Sequence, residues 1–182
     1  MAHIAHHARG GEADQRIVVD QQHGERRTVV GIAHHEGLID SLQDPIEEYV
    51  PDLDVRLGLY RRLSALSTKV ELEGFAAELI DRFGPLPREV NTLLLVIRIK
   101  AMAKRANISR LDAGPKGATV QFHMDKFPNP AGLVEFLTEQ HGQAKITDNK
   151  IFVARDWKSD ADRIKGAFAV ARDLAAKAKA AK

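Results

Sequence analysis

Apolar residues recur at helical spacing from Tyr49 onward. Val55, Leu59, Leu63 and Leu66 fall on one face and predict a first helix. Thr68 with Glu71 three residues later forms a capping-box pattern, which predicts a second helix running to Phe83 and stopped by Gly84-Pro85. Pro87 suits the first position of a third helix, where its missing N–H leaves nothing unpaired. That helix carries Val90, Leu93, Leu94, Ile97, Ala101 and Met102, with Asn107 as a left-handed stop.

The period then shortens. Ile108–Asp112, the turn Gly114-Pro115-Lys116-Gly117 and Ala118–His123 read as a hairpin, with Val120 and Phe122 facing one way. Asn129-Pro130 opens a short helix bearing Leu133, Val134 and Leu137, and Gly142 ends it. Lys145–Thr147 and Lys150–Val153 form a second hairpin about Asp148-Asn149. A last helix presents Trp157, Ala161, Ile164, Phe168, Ala171 and Leu174 as one stripe. The expected class is α+β: an N-terminal helical half followed by a small antiparallel sheet, built from two hairpins packed on helices.

Composition divides the 182 residues into 1–44 and 45–182. The first segment holds six of the eight histidines, no aromatic ring of Phe, Tyr or Trp, and a net charge of −3 (4 Arg against 7 Asp+Glu), leaving +5 for the rest of a chain of net +2. Its apolar runs, Ile17–Val19 and Thr28–Ile32, are too short to offset chain entropy alone, so it is expected to be mostly disordered, a leader outside the folded domain. His3, His6 and His7, with His34 and His35, have metal-like spacing but lack ordered support for a ligand shell, so no metal is assigned. At 44% hydrophobic and 29% charged the whole chain is globular in character. It has no cysteine, no signal-peptide stretch and no apolar run of membrane-spanning length, which together fit a cytoplasmic protein without membrane contact.

Catalytic signatures are missing. There is no phosphate-binding loop, no G-x-S-x-G and no H-E-x-x-H, and His123 and His141 have no Ser or Asp paired with them. The chain is therefore expected not to be an enzyme by itself and to hold no cofactor. Two surface features remain. On a wheel of the second helix, Leu72, Phe75, Ala76, Leu79, Ile80 and Phe83 occupy one arc, and Glu71, Gly74, Glu78, Asp81 and Arg82 the other. The polar arc is either a solvated face with a Glu78–Arg82 pair one turn apart or a docking face for a partner's charges. Arg98, Lys100, Lys104, Arg105 and Arg110 surround the end of the third helix, where they either complement its dipole or contact phosphates, though without interleaved aromatics.

Glu47-Glu48-Tyr49-Val50-Pro51-Asp52, then Arg56-Leu57, Leu59-Tyr60-Arg61-Arg62-Leu63 and Glu78–Pro87, resemble the C-terminal domain of the bacterial transcription-repair coupling factor (Mfd) over about residues 46–175. Ala113–Gly117 also resembles that family's hairpin turn. The family's full-length protein is an ATP-driven DNA translocase that displaces stalled RNA polymerase and recruits excision repair through UvrA. The resemblance implies that this domain is not the motor, and that ATP and Mg belong to the motor domains, whose motifs are absent from this chain. It implies a regulatory clamp that packs on the N-terminal repair-protein-like module and hides the UvrA-binding surface. Carried to matching positions, the clamp residues are Glu78, Asp81 and Arg82. UvrA, RNA polymerase and DNA are then indirect partners. Residues 1–44 do not resemble the family's link to its motor. The alternative is a nucleic-acid-binding module using the basic end of the third helix.

Overall fold

The computed structural model describes residues 16–20, 30–33 and 47–179. Three consecutive helices come first in the described domain: α1 (Leu53–Ala65), α2 (Lys69–Phe83) and α3 (Arg88–Arg105). Each start has a local cause. The Asp52 carboxylate accepts from the Val55 N–H at 2.9 Å and caps α1. Thr68 Oγ1 accepts from Glu71 N–H at 3.2 Å while the Glu71 carboxylate accepts from Thr68 N–H at 3.0 Å, so the predicted capping box opens α2. α2 stops at Gly84, whose φ of 90° suits glycine. Pro87 caps α3 from one position outside the helix rather than starting it, and Asn107 follows the helix end at φ 56°.

The remainder is β3 (Ile108–Gly114), β4 (Gly117–Phe122), α4 (Pro130–Glu139), β5 (Ala144–Thr147), β6 (Lys150–Ala154) and α5 (Asp160–Lys177). They join β1 (Arg16–Asp20) and β2 (Val30–Ala33) in one antiparallel sheet of order β2-β1-β3-β4-β6-β5. Leu111, Ala113, Val120, Ile151 and Val153 alternate onto the inner face, where α3 and α5 pack side by side. α5 starts at a second capping box, Ser159 with Asp162.

Two hydrophobic clusters result. One holds Val50, Leu59, Leu63, Leu72, Phe75, Leu79, Val90 and Leu94 from α1, α2 and the start of α3. The other lies between the sheet and α3, α4 and α5. α3 serves both: Val90 and Leu94 face the helical cluster, whereas Ile99 and Ala103 face the sheet. That double duty explains why its sequence is apolar beyond a single stripe.

Four expectations need correction. β1 and β2 arise from the two short apolar runs of residues 1–44, so disorder is wrong for these strands. Ile17–Asp20 pair with Arg110–Ala113 of β3, and Val19 is fully buried. A run that cannot form a core alone gains one by docking on an existing sheet edge. The histidines of metal-like spacing, His3, His6, His7, His34 and His35, lie outside the described residues. Ile80, placed on the apolar arc, is 49% exposed. In α4 Val134 points to solvent at 63% exposure, and Phe136 is the buried anchor. Trp157 precedes α5 rather than belonging to it, packing its ring against Gly166.

Candidate functional site

α2 is anchored before it is charged. Leu72, Phe75 and Leu79 are buried in the helical cluster. The Tyr49 hydroxyl lies 2.6 Å from Gly84 O and 2.9 Å from Leu79 O, so its proton serves both carbonyls at the end of α2. The Tyr49 ring meets Phe83 edge-on, with centroids 5.7 Å apart. The segment bearing Tyr49 is itself held by buried Arg56, which donates to Val50 O at 2.8 Å and Pro51 O at 3.2 Å. The C-terminal part of α2, which carries Glu78, Asp81 and Arg82, is thus fixed on its inner side.

On the outer side the three residues separate. Asp81 and Arg82 are exposed, and Glu78 is one-third exposed. Glu78 is the centre of a small ionic network. Arg62 of α1 donates from Nη1 to Oε1 at 2.7 Å and from Nη2 to Oε2 at 2.5 Å, a two-pronged pairing of the strong kind. Arg82 adds a longer contact from Nη1 to Oε1 at 3.3 Å. The Arg62 guanidinium beside it, with help from Arg82, lowers the Glu78 carboxyl to about 2. Both guanidinium groups rest on rings: Arg62 lies 5.3 Å from the Phe75 centroid, and Arg82 4.9 Å from that of Phe83. Asp81 has no hydrogen bond or ion pair among the described residues.

The structure therefore brings Glu78 and Arg82 together, leaves Asp81 beside them facing solvent, and adds Arg62. Sequence reasoning missed Arg62 because it lies on another helix, 16 positions away. No single-helix wheel shows such a pair. Gly74 also faces open space, with nothing within 4 Å of where a Cβ would stand.

The basic residues behave differently. At ~100° per residue, Lys100 and Lys104 share one side of α3, and Arg98 and Arg105 another. Arg98 stacks 5.0 Å from the Phe168 centroid. Burial, then the nearby Lys104 charge, lowers the Lys100 ammonium. Arg110 sits on β3 within 3.9 Å of Asp112. They do not form one continuous cationic surface. Among the described residues no cluster of three metal-ligating side chains occurs, and no helix is long and apolar enough to cross a membrane.

Comparison with known proteins places this architecture. Residues 46–133 match the family model described as the TRCF domain. A transcription-repair-coupling factor of Rickettsia conorii is 42% identical over 106 residues, covering 58% of this chain and 9% of that protein. The protein of the same name from Escherichia coli K12 is 37% identical over 94 residues, 52% of this chain and 8% of the other. That from Myxococcus xanthus is 32% identical over 133 residues, 70% and 11%. The chain spans about a tenth of the length of these curated relatives. A solved structure, the crystal structure of the C-terminal domain of transcription-repair coupling factor, superposes with a TM-score of 0.57 at 19% identity. It covers 75% of this chain and 88% of that one.

Proposed function

This chain carries the C-terminal (TRCF) domain of a transcription-repair coupling factor, and from that premise we propose that it is a regulatory docking domain, not a motor. In this reading the outer side of α2 docks on the N-terminal repair-protein-like module of the full-length protein and covers the surface that binds UvrA. ATP hydrolysis, DNA tracking and displacement of RNA polymerase belong to other parts of that protein.

The observation that carries the reading is the division of α2: a buried inner side, a pinned last turn, and Glu78, Asp81 and Arg82 facing outward. An interaction helix needs both halves of that arrangement. Its fold must not depend on the charges it offers. The domain then acts as one side of a two-state contact: docked, it hides the repair partner's site; released, it exposes it. Differential affinity sets the balance between those states.

The test is a binding titration of the chain with that N-terminal module, comparing wild type with Glu78→Ala, Asp81→Ala and Arg82→Ala. Removing one member of a desolvated charge pair costs ~2–5 kcal/mol at an interface. At least Asp81→Ala, which disturbs nothing inside the domain, is expected to weaken binding strongly. Equal affinity for wild type and all three variants would overturn the assignment of these residues.

A further inference from the structure

We propose that Arg62 of α1 is a positioning residue of the docking face: held between the Phe75 ring and both oxygens of Glu78, it fixes the direction in which that carboxylate meets a partner. The inference rests on the docking reading and deepens it.

A glutamate on a helix surface is normally a mobile group. Ordering such a side chain at an interface costs ~0.5–1.5 kcal/mol. Glu78 is already ordered in the free domain. The Arg62 fork takes one lone pair on each oxygen, at 2.7 and 2.5 Å, and a planar fork sets the plane of the carboxylate as well as its position. The stacking of Arg62 on Phe75 ties that plane to the hydrophobic core, because Phe75 is itself buried. Arg82 reaches the same Oε1 at 3.3 Å. A carboxylate has about four acceptor sites, so after these contacts one on Oε2 stays open to an incoming donor. α1 thus contributes to the face without being its principal contact surface. The charged groups around Glu78 are Arg62 from α1 and Arg82 from α2.

Arg62→Lys retains the charge and removes the fork. Arg62→Gln removes the charge. Arg61→Gln is the control, since exposed Arg61 makes the same charge change one residue away. Two readouts apply to the 182-residue chain. In the chain alone, carboxyl NMR should show Glu78 titrating near 2 in wild type and Arg61→Gln, and nearer the ordinary carboxylate range in Arg62→Gln. In titrations with the N-terminal module, both Arg62 variants should bind about 2- to 12-fold more weakly than wild type, and Arg61→Gln should not. In Arg62→Gln the acid limb of the binding profile should also move to higher pH. If Glu78 titrates alike in Arg62→Gln and wild type, or if the Arg61 and Arg62 variants lose affinity equally, the positioning role is wrong while docking stands. If wild type itself does not bind the module, docking fails and the positioning role with it.

Discussion

α2 and α5 begin with the same local code and end in different surroundings. Both open with a capping box, Thr68 with Glu71 and Ser159 with Asp162, and both alternate apolar and polar residues at helical spacing. α5 buries seven residues and lies against α3, α4 and the inner face of the sheet. α2 buries three and leaves a long side in solvent. The contrast shows that amphipathicity alone does not separate a helix enclosed by the fold from one with a free outer side. What separates them is how many neighbours the fold supplies.

The largest expected effects probe the two cores. Leu174→Ala in α5 and Leu79→Ala in α2 each remove a side chain that is at most 2% exposed and should cost ~2–5 kcal/mol in denaturant titrations. The difference should appear in amide exchange. Leu79→Ala should speed exchange in α1 and α2 while β3 and β4 stay protected, because the helical cluster is the smaller. Equal acceleration everywhere would show that α3 makes the two clusters one cooperative unit.

A middle-sized effect comes from glycine. A Cβ at Gly166 in α5 would overlap the Trp157 ring, so Gly166→Ala should lower stability by ~1–3 kcal/mol. Gly74→Ala in α2 should act in the opposite direction, raising stability by ~0.5–1 kcal/mol, because the site is open and alanine favours the helix. Melting curves of the two variants would test the contrast directly: the same sign for both would contradict it.

The smallest effect is a pH dependence. The Glu78 carboxyl is depressed to about 2 by Arg62 and Arg82. Its contribution is therefore fully present above the ordinary carboxylate pKa of about 4.3 and fades as pH falls toward 2. The melting-temperature gap between wild type and Glu78→Gln should be largest near neutrality and should close over that window. A gap that widens on acidification would mean the pair is not formed in solution.

Much of the fold was legible because its signals are local. The capping box and Gly84 set both ends of α2, and the turn pairs Gly114–Gly117 and Asp148-Asn149 set both hairpins. The misreadings of burial share one cause, which is that exposure depends on distant chain. Ile80 fits an apolar arc, yet half of it stays exposed. Val134 and Phe136 are both apolar, and only the position of α5 decides which is buried. Of the site, the charged arc was readable from spacing, whereas Arg62 was not, because its partner is on the next helix. The fit of Ile17–Val19 to β3 likewise depends on a strand some 90 positions later.

The strand β1 decides which edge of the sheet faces solvent. It covers the flank of β3 from Arg110 to Ala113, which would otherwise present a row of open backbone donors and acceptors beside the exposed face of the sheet. An uncovered flank of that kind recruits foreign strands and templates aggregation. A version trimmed to residues 45–182 would make the seven-residue β3 the sheet edge in place of the four-residue β2, and the longer edge should associate more readily as concentration rises than the full chain does.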